Sequence, residues 1–117
     1  MLRQKPASSE LVAVIVSIHV KPDCEAEFLA LLTPVLDAMR NEPTFINAVL
    51  HRDIDDPARF MLYETWASHD DLIQVQLKRD YRQAYEARLP ELVCRPRQAH
   101  VFQPMRGDFN FLAAAYR

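Results

Sequence analysis

Residues 11–20, LVAVIVSIHV, form an unbroken apolar run rich in β-branched side chains, the pattern of a strand buried on both faces. Lys21-Pro22-Asp23 closes the run, and Asp23 is placed to cap a helix that starts at Cys24. Phe28, Leu32, Val35 and Met39 then recur at helical spacing, with Pro34 inside the pattern predicting a kink or a split into two pieces. Asn41-Glu42-Pro43 ends the helix. Residues 44–53 alternate, with Phe45, Asn47, Val49 and His51 on one face and Ile46, Ala48, Leu50 and Arg52 on the other. Asp55-Asp56-Pro57 is a turn, and residues 59–66 are the hairpin partner of the preceding strand. On this strand Phe60, Leu62, Glu64 and Trp66 share one face, and Met61, Tyr63 and Thr65 share the other.

Ser68 and Asp71 stand in capping-box spacing before a short helix that runs through Leu77. Asp80 is placed to cap a second helical segment carrying Tyr81, Ala84, Tyr85 and Leu89. Pro90 and Pro96 bracket a loop, and residues 97–104 read as a last strand. The order β-α-β-β-α-β predicts an α+β domain of the ferredoxin-like type, a four-stranded antiparallel sheet with its helices on one face. The domain spans 11–105. Residues 1–10 read as a flexible polar arm, and 106–117 as a tail whose Phe109, Phe111 and Leu112 pack on the domain or on a partner. The first strand is apolar on both faces, and the third carries Met61 and Tyr63 on its second face. An uncovered apolar sheet face marks an interface, so two copies are expected to pack back to back as a homodimeric α+β barrel.

Composition narrows the classes of function. Half of the 117 residues are hydrophobic, enough for a real core in one domain of this length. The net charge is −2 and the 14 basic residues are scattered, which argues against nucleic acid as a partner. No apolar run approaches the ~20 residues that span a bilayer, and the N-terminus has no signal-like apolar stretch. No membrane partner is therefore expected, and the cytoplasm is the expected compartment. Cys24 and Cys94 form no CxxC and read as reduced thiols. Gly107 is the only glycine, so the chain has no P-loop and no GxGxxG.

The segment 59–92, with Tyr63-Glu64-Thr65-Trp66 at a strand end, the capped helix after it and Leu89-Pro90-Glu91-Leu92, resembles the antibiotic biosynthesis monooxygenase family. The opening VSIHVKPDCEAEFLALL, Glu42-Pro43 and the closing AHVFQP match the same template, so the resemblance covers roughly residues 11–105. It implies a dimeric α+β barrel with a pocket in each protomer between helices and sheet. The activities it implies include cofactor-free oxygenation of hydroxylated aromatics to quinones, quinol monooxygenation, haem degradation and processing of a signalling sugar derivative. The chain departs from the family at Val75 and at Arg79-Asp80, where many members have histidine. Val16, Val75 and Tyr85 stand where the haem-degrading branch has its Asn, Trp and His, which disfavours haem. Leu62 replaces an Asn of the antibiotic-tailoring branch, and of that branch's polar set Trp66 is the clear match.

Several residues are candidates for chemistry, each with a plainer alternative. Trp66 is a platform for a planar ring or a core residue. Glu64 is a general base whose pKa burial would raise, or one half of an ion pair with Arg82 or Arg88. His51, in step with Asn47, has the intrinsic pKa of a base or is a solvent-facing edge histidine. Tyr81 and Tyr85, one turn apart, present both hydroxyls to a pocket or pack in the core. Asn47, Leu62 and Val75 complete the expected substrate-binding set. His19 and His100 lie near the paired ends of two strands, but two histidines without a third ligand make a weak metal site, and none is expected. The expected function is a small cofactor-independent monooxygenase, with an aromatic, hydroxyarene or quinol-like molecule and dioxygen as its substrates. The alternatives are a non-catalytic small-molecule binding module and an isomerase or lyase on the same fold.

Overall fold

A computed structural model describes residues 10–110. The elements are β1 (Val12–His19), α1 (Glu25–Met39), β2 (Phe45–Arg52), β3 (Arg59–Trp66), α2 (His69–Gln74), α3 (Gln83–Leu92) and β4 (Gln98–Phe102). Two short 3₁₀ turns, Gln76–Lys78 and Asp80–Arg82, join α2 to α3. The sheet runs β2-β3-β1-β4 and every neighbouring pair is antiparallel. This is the ferredoxin-like α+β arrangement.

Register decides which side chains meet. Val14, Val16 and Ile18 of β1 stand opposite Glu64, Leu62 and Phe60 of β3. Val14 and Val16 also face Val101 and Ala99 of β4. Because side chains alternate along a strand, all of these share the helix-covered face. Phe28, Leu32, Val35 and Met39 of α1 and Tyr85, Leu89 and Leu92 of α3 are buried against it. Phe28 links the layers, its ring 4.9 Å from Phe60 and 6.1 Å from Tyr85. The other face carries Ile15, Val49, Met61 and Tyr63, all half-buried.

The structure corrects the sequence reading at several points. Phe45 pairs with Trp66 and Asn47 with Thr65, so Ile46 is an extra residue in β2, a bulge. The bulge sets Phe45 on the core side, edge-on to Trp66 at 5.5 Å, and leaves Asn47 and His51 with Thr65 and Met61 on the opposite face. Helix α1 runs unbroken through Pro34, and α3 runs through Pro90 to the fully buried Leu92. Both prolines lie on exposed helix sides, where water can serve the carbonyl that loses its N–H partner. Asp23 does not cap α1. It takes a left-handed conformation (φ 71°) in the turn closed by Cys24 N–H to the Lys21 carbonyl, and Cys24 is the N-cap. Asp80 opens a 3₁₀ turn whose N-cap is Arg79. Phe109 is 87% exposed, so its ring does not pack on its own domain. Residues 1–9 of the expected arm, Phe111 and Leu112 lie outside the described residues. Among the described residues no helix is long and apolar enough to cross a membrane.

Candidate active site

Between the helices and the sheet lies a cavity of about 320 Å³, at the lower end of the size range of small-molecule sites. Val14, Val16 and Ile18 of β1, Leu62 and Glu64 of β3, and Ala99 and Val101 of β4 form its floor. Leu32, Val35 and Met39 of α1 form one wall, and Leu72, Ile73 and Leu77 another. Arg82, Tyr85, Glu86 and Arg97 close the remaining side. Ile73, Leu77 and Val101 are about half exposed and form an apolar rim. The walls are therefore hydrophobic almost throughout, with charge gathered on one side.

Glu64 is the buried acid of this site, 7% exposed. Trp66 Nε1–H donates to its Oε1 at 2.9 Å. Burial pushes the carboxyl up from its ordinary value; the Trp66 hydrogen bond and the charges of Arg82 and Arg97 oppose this, and the net shift is upward. Tyr85 is raised by burial as well, with the Arg97 charge working against it. Arg97 lies over the Tyr85 ring, 5.8 Å from guanidinium carbon to ring centroid, and forms an ion pair with Glu86.

Leu62, Glu64 and Tyr85 are the expected site residues that the fold brings together. The others fall elsewhere. Trp66 is fully buried, packs on Phe45 and does not line the cavity. Its indole N–H holds Glu64 and its ring packs edge-on to Phe45. His51 and Asn47 are on the opposite side of the sheet from Glu64, because the β2–β3 register pairs them with Met61 and Thr65. His51 is exposed in a shallow recess with Arg59 and Met61. Val75 and Tyr81 line an open surface recess beside Lys78 and Arg79. Tyr81 O–H donates to Glu42 Oε2 at 2.9 Å, and burial together with that carboxylate pushes the phenol up to about 12. Glu64 has no ion pair with Arg88, which is held by Glu27 and Glu91 on the surface. His19 and His100 are not neighbours: His100 pairs with Ile15, four residues from His19 and so about 13 Å along the strand. His19 instead contacts Asp56 and Arg95.

The sequence reading missed Arg97 and assigned Arg82 only as a possible ion-pair partner. Arg82 is 8% exposed, and its Nε donates to the Gln76 carbonyl at 2.8 Å. The turn that presents it is pinned by a polar network. Gln76, 1% exposed, donates from Nε2 to Asp71 Oδ2 (3.1 Å) and Glu42 Oε1 (3.4 Å). Thr44 donates to the same Asp71 oxygen at 2.6 Å, and Arg79 to Glu42 at 3.0 and 3.1 Å. Burial alone would push the Glu42 carboxyl up, but the donors Tyr81, Arg79 and Gln76 outweigh it and lower it. One signal was available in the sequence. Arg97, Ala99 and Val101 share a strand face, and Arg82 and Tyr85 stand one helical turn apart.

Comparison with known proteins agrees with this architecture. Residues 11–87 match the family described as antibiotic biosynthesis monooxygenase. The Pestalotiopsis microspora protein named Putative monooxygenase GME11364 is 32% identical over 105 residues, covering 89% of this chain and 86% of that protein. The solved structure of Rv0793 from Mycobacterium tuberculosis superposes with a TM-score of 0.77 at 26% identity, covering 84% of this chain and 98% of that one. A variant of SnoaB, a cofactor-independent oxygenase from Streptomyces nogalater, shares the fold with a TM-score of 0.72 at 17% identity, over 84% and 96% of the two chains. With its ferredoxin-like sheet and its cavity between helices and sheet, the chain belongs to the antibiotic biosynthesis monooxygenase family.

Proposed function

We propose that the protein is a cofactor-independent monooxygenase acting on a hydroxylated aromatic or quinol-like substrate, with Glu64 as the proton acceptor. The observation that carries this reading is a carboxylate buried in an apolar cavity and held in one orientation by an indole N–H. Such a carboxyl is poised as a base nearer neutrality than an exposed one. The cavity holds the ring with its hydroxyl toward Glu64. Proton transfer leaves an electron-rich phenolate, which passes one electron to dioxygen. The radical pair combines in a water-poor space, and loss of water gives the quinone. Overall, a hydroxyarene and one dioxygen yield a quinone and one water. The protein contributes orientation, desolvation and a proton acceptor. Tyr85, on the side of the cavity that Arg82 and Arg97 close, is a hydrogen-bond donor to the substrate oxygen.

Oxygen uptake with a panel of hydroxyarenes and simple hydroquinones, on protein freed of metal and flavin, tests the reading. Uptake matched by quinone formation is expected. Saturable binding without uptake would make the protein a binding module, and turnover without oxygen an isomerase or lyase.

The working unit proposed is a homodimer formed through the sheet face that carries Ile15, Met61 and Tyr63. A charge placed there would be buried without a partner at a two-fold interface. Tyr63→Asp is expected to give monomer or aggregate in sedimentation velocity. A stable, fully dimeric Tyr63→Asp protein would remove this face as the interface.

A further inference from the structure

We infer that the substrate ring carries a carboxylate, and that Arg82, with Arg97 beside it, is the group that binds it. The inference rests on the cavity being the ring-binding site proposed above. The charged groups around the cavity are not all paired. Arg97 is compensated by Glu86. Arg82 takes part in no ion pair among the described residues. Its Nε is satisfied by a backbone carbonyl, but its Nη2 is buried and donates to no group among the described residues. A guanidinium cannot escape this by losing its proton. Leaving such a charge buried without a contacting partner is costly, and a bound anion would recover that cost.

Glu64, ionised as the base, acts on Arg82 only at a distance and not through a hydrogen bond. Arg97 and Glu86 cancel as an ion pair, which leaves the Arg82 guanidinium as the cation lining the cavity without a contacting anion. One negative charge on the ligand neutralises it. A carboxylate has that charge and matches the planar guanidinium fork. A phosphate monoester, at about −1.5 to −2, overshoots it. The apolar floor and walls demand that the rest of the ligand be a ring or hydrocarbon.

Calorimetric titration with 1-hydroxy-2-naphthoate and 1-naphthol tests this with a matched pair that differs by the carboxylate. The wild type is expected to bind the naphthoate about tenfold or more tightly than the naphthol, as one charge-assisted hydrogen bond would provide. Arg82→Gln is expected to erase most of that preference, by weakening naphthoate binding more than naphthol binding. Because Arg82 is buried, its variants are checked by thermal melting, and Arg82→Lys serves if Arg82→Gln does not fold. The lysine variant should lose part of the preference, since it keeps a point charge but not the fork. Equal affinities in the wild type would overturn the inference and leave the ring-binding reading standing. An undiminished preference in a folded Arg82 variant would overturn the assignment to Arg82. Failure of both probes to bind would overturn the inference together with the site reading beneath it.

Discussion

Glu64→Gln is expected to abolish most of the turnover while sparing the fold. Glutamine keeps the shape of the side chain and retains an oxygen to accept the Trp66 N–H, now at 2.9 Å from Glu64 Oε1. What it cannot do is take a proton. General-base catalysis contributes about 10²–10⁴-fold, and the loss should fall on kcat with little change in ring affinity. Stability gives an independent reading of the same variant. The folded Glu64 carboxyl lies above its ordinary 4.5, first because burial disfavours the charge. Below pH 4.5 the group is protonated in both folded and unfolded chains and makes no difference. As pH rises from 4.5 toward the folded value, the unfolded chain releases the proton and the folded one retains it, so stability falls. Glu64→Gln removes this loss, and its melting temperature should improve relative to wild type over that window. A variant with turnover per folded molecule nearly intact would show Glu64 to be structural only.

Trp66→Ala is expected to cost about 3–5 kcal/mol, the range for truncating a buried aromatic. Trp66 is fully buried against Phe45, so its removal opens a cavity beneath the site. For a domain of roughly 100 residues this lowers the melting temperature by about 15 °C or more. Trp66→Phe separates packing from hydrogen bonding. It preserves most of the apolar volume but takes from Glu64 its one hydrogen-bond donor among the described residues. Because that bond favours the ionised carboxylate, its loss should move the acidic limb of the pH–rate profile to higher pH. A ring platform at Trp66 would behave differently, with weaker substrate binding and an unmoved limb. The position of that limb, measured for wild type and Trp66→Phe, decides between the two roles.

Much of the fold is legible because it rests on period and punctuation. β3 is read over 59–66 as observed, and its alternation places Leu62 and Glu64 on the core face. The spacing of Phe28, Leu32, Val35 and Met39 marks the buried side of α1. The β2 face is misread because a bulge adds one residue without disturbing the alternation on either side of it. Only the β3 register shows that Ile46 is the extra residue, and it carries Asn47 and His51 away from Glu64. The prolines mislead for a different reason: Pro34 and Pro90 sit on exposed helix sides, where the penalty is mild. The role of Arg82 depends on a turn fixed by residues as distant as Glu42 and Thr44, which no local pattern contains.

The most direct test of the account follows the oxygen atoms. Metal- and flavin-free protein is supplied with a hydroxyarene that it turns over, under ¹⁸O₂ in ordinary water, and the quinone is analysed by mass spectrometry. The account predicts that one labelled oxygen enters the quinone per dioxygen consumed and that the second leaves as water. The label should appear only slowly when Glu64 is replaced by Gln. Quinone carrying oxygen from the solvent, or product formed at an undiminished rate without dioxygen, would contradict it.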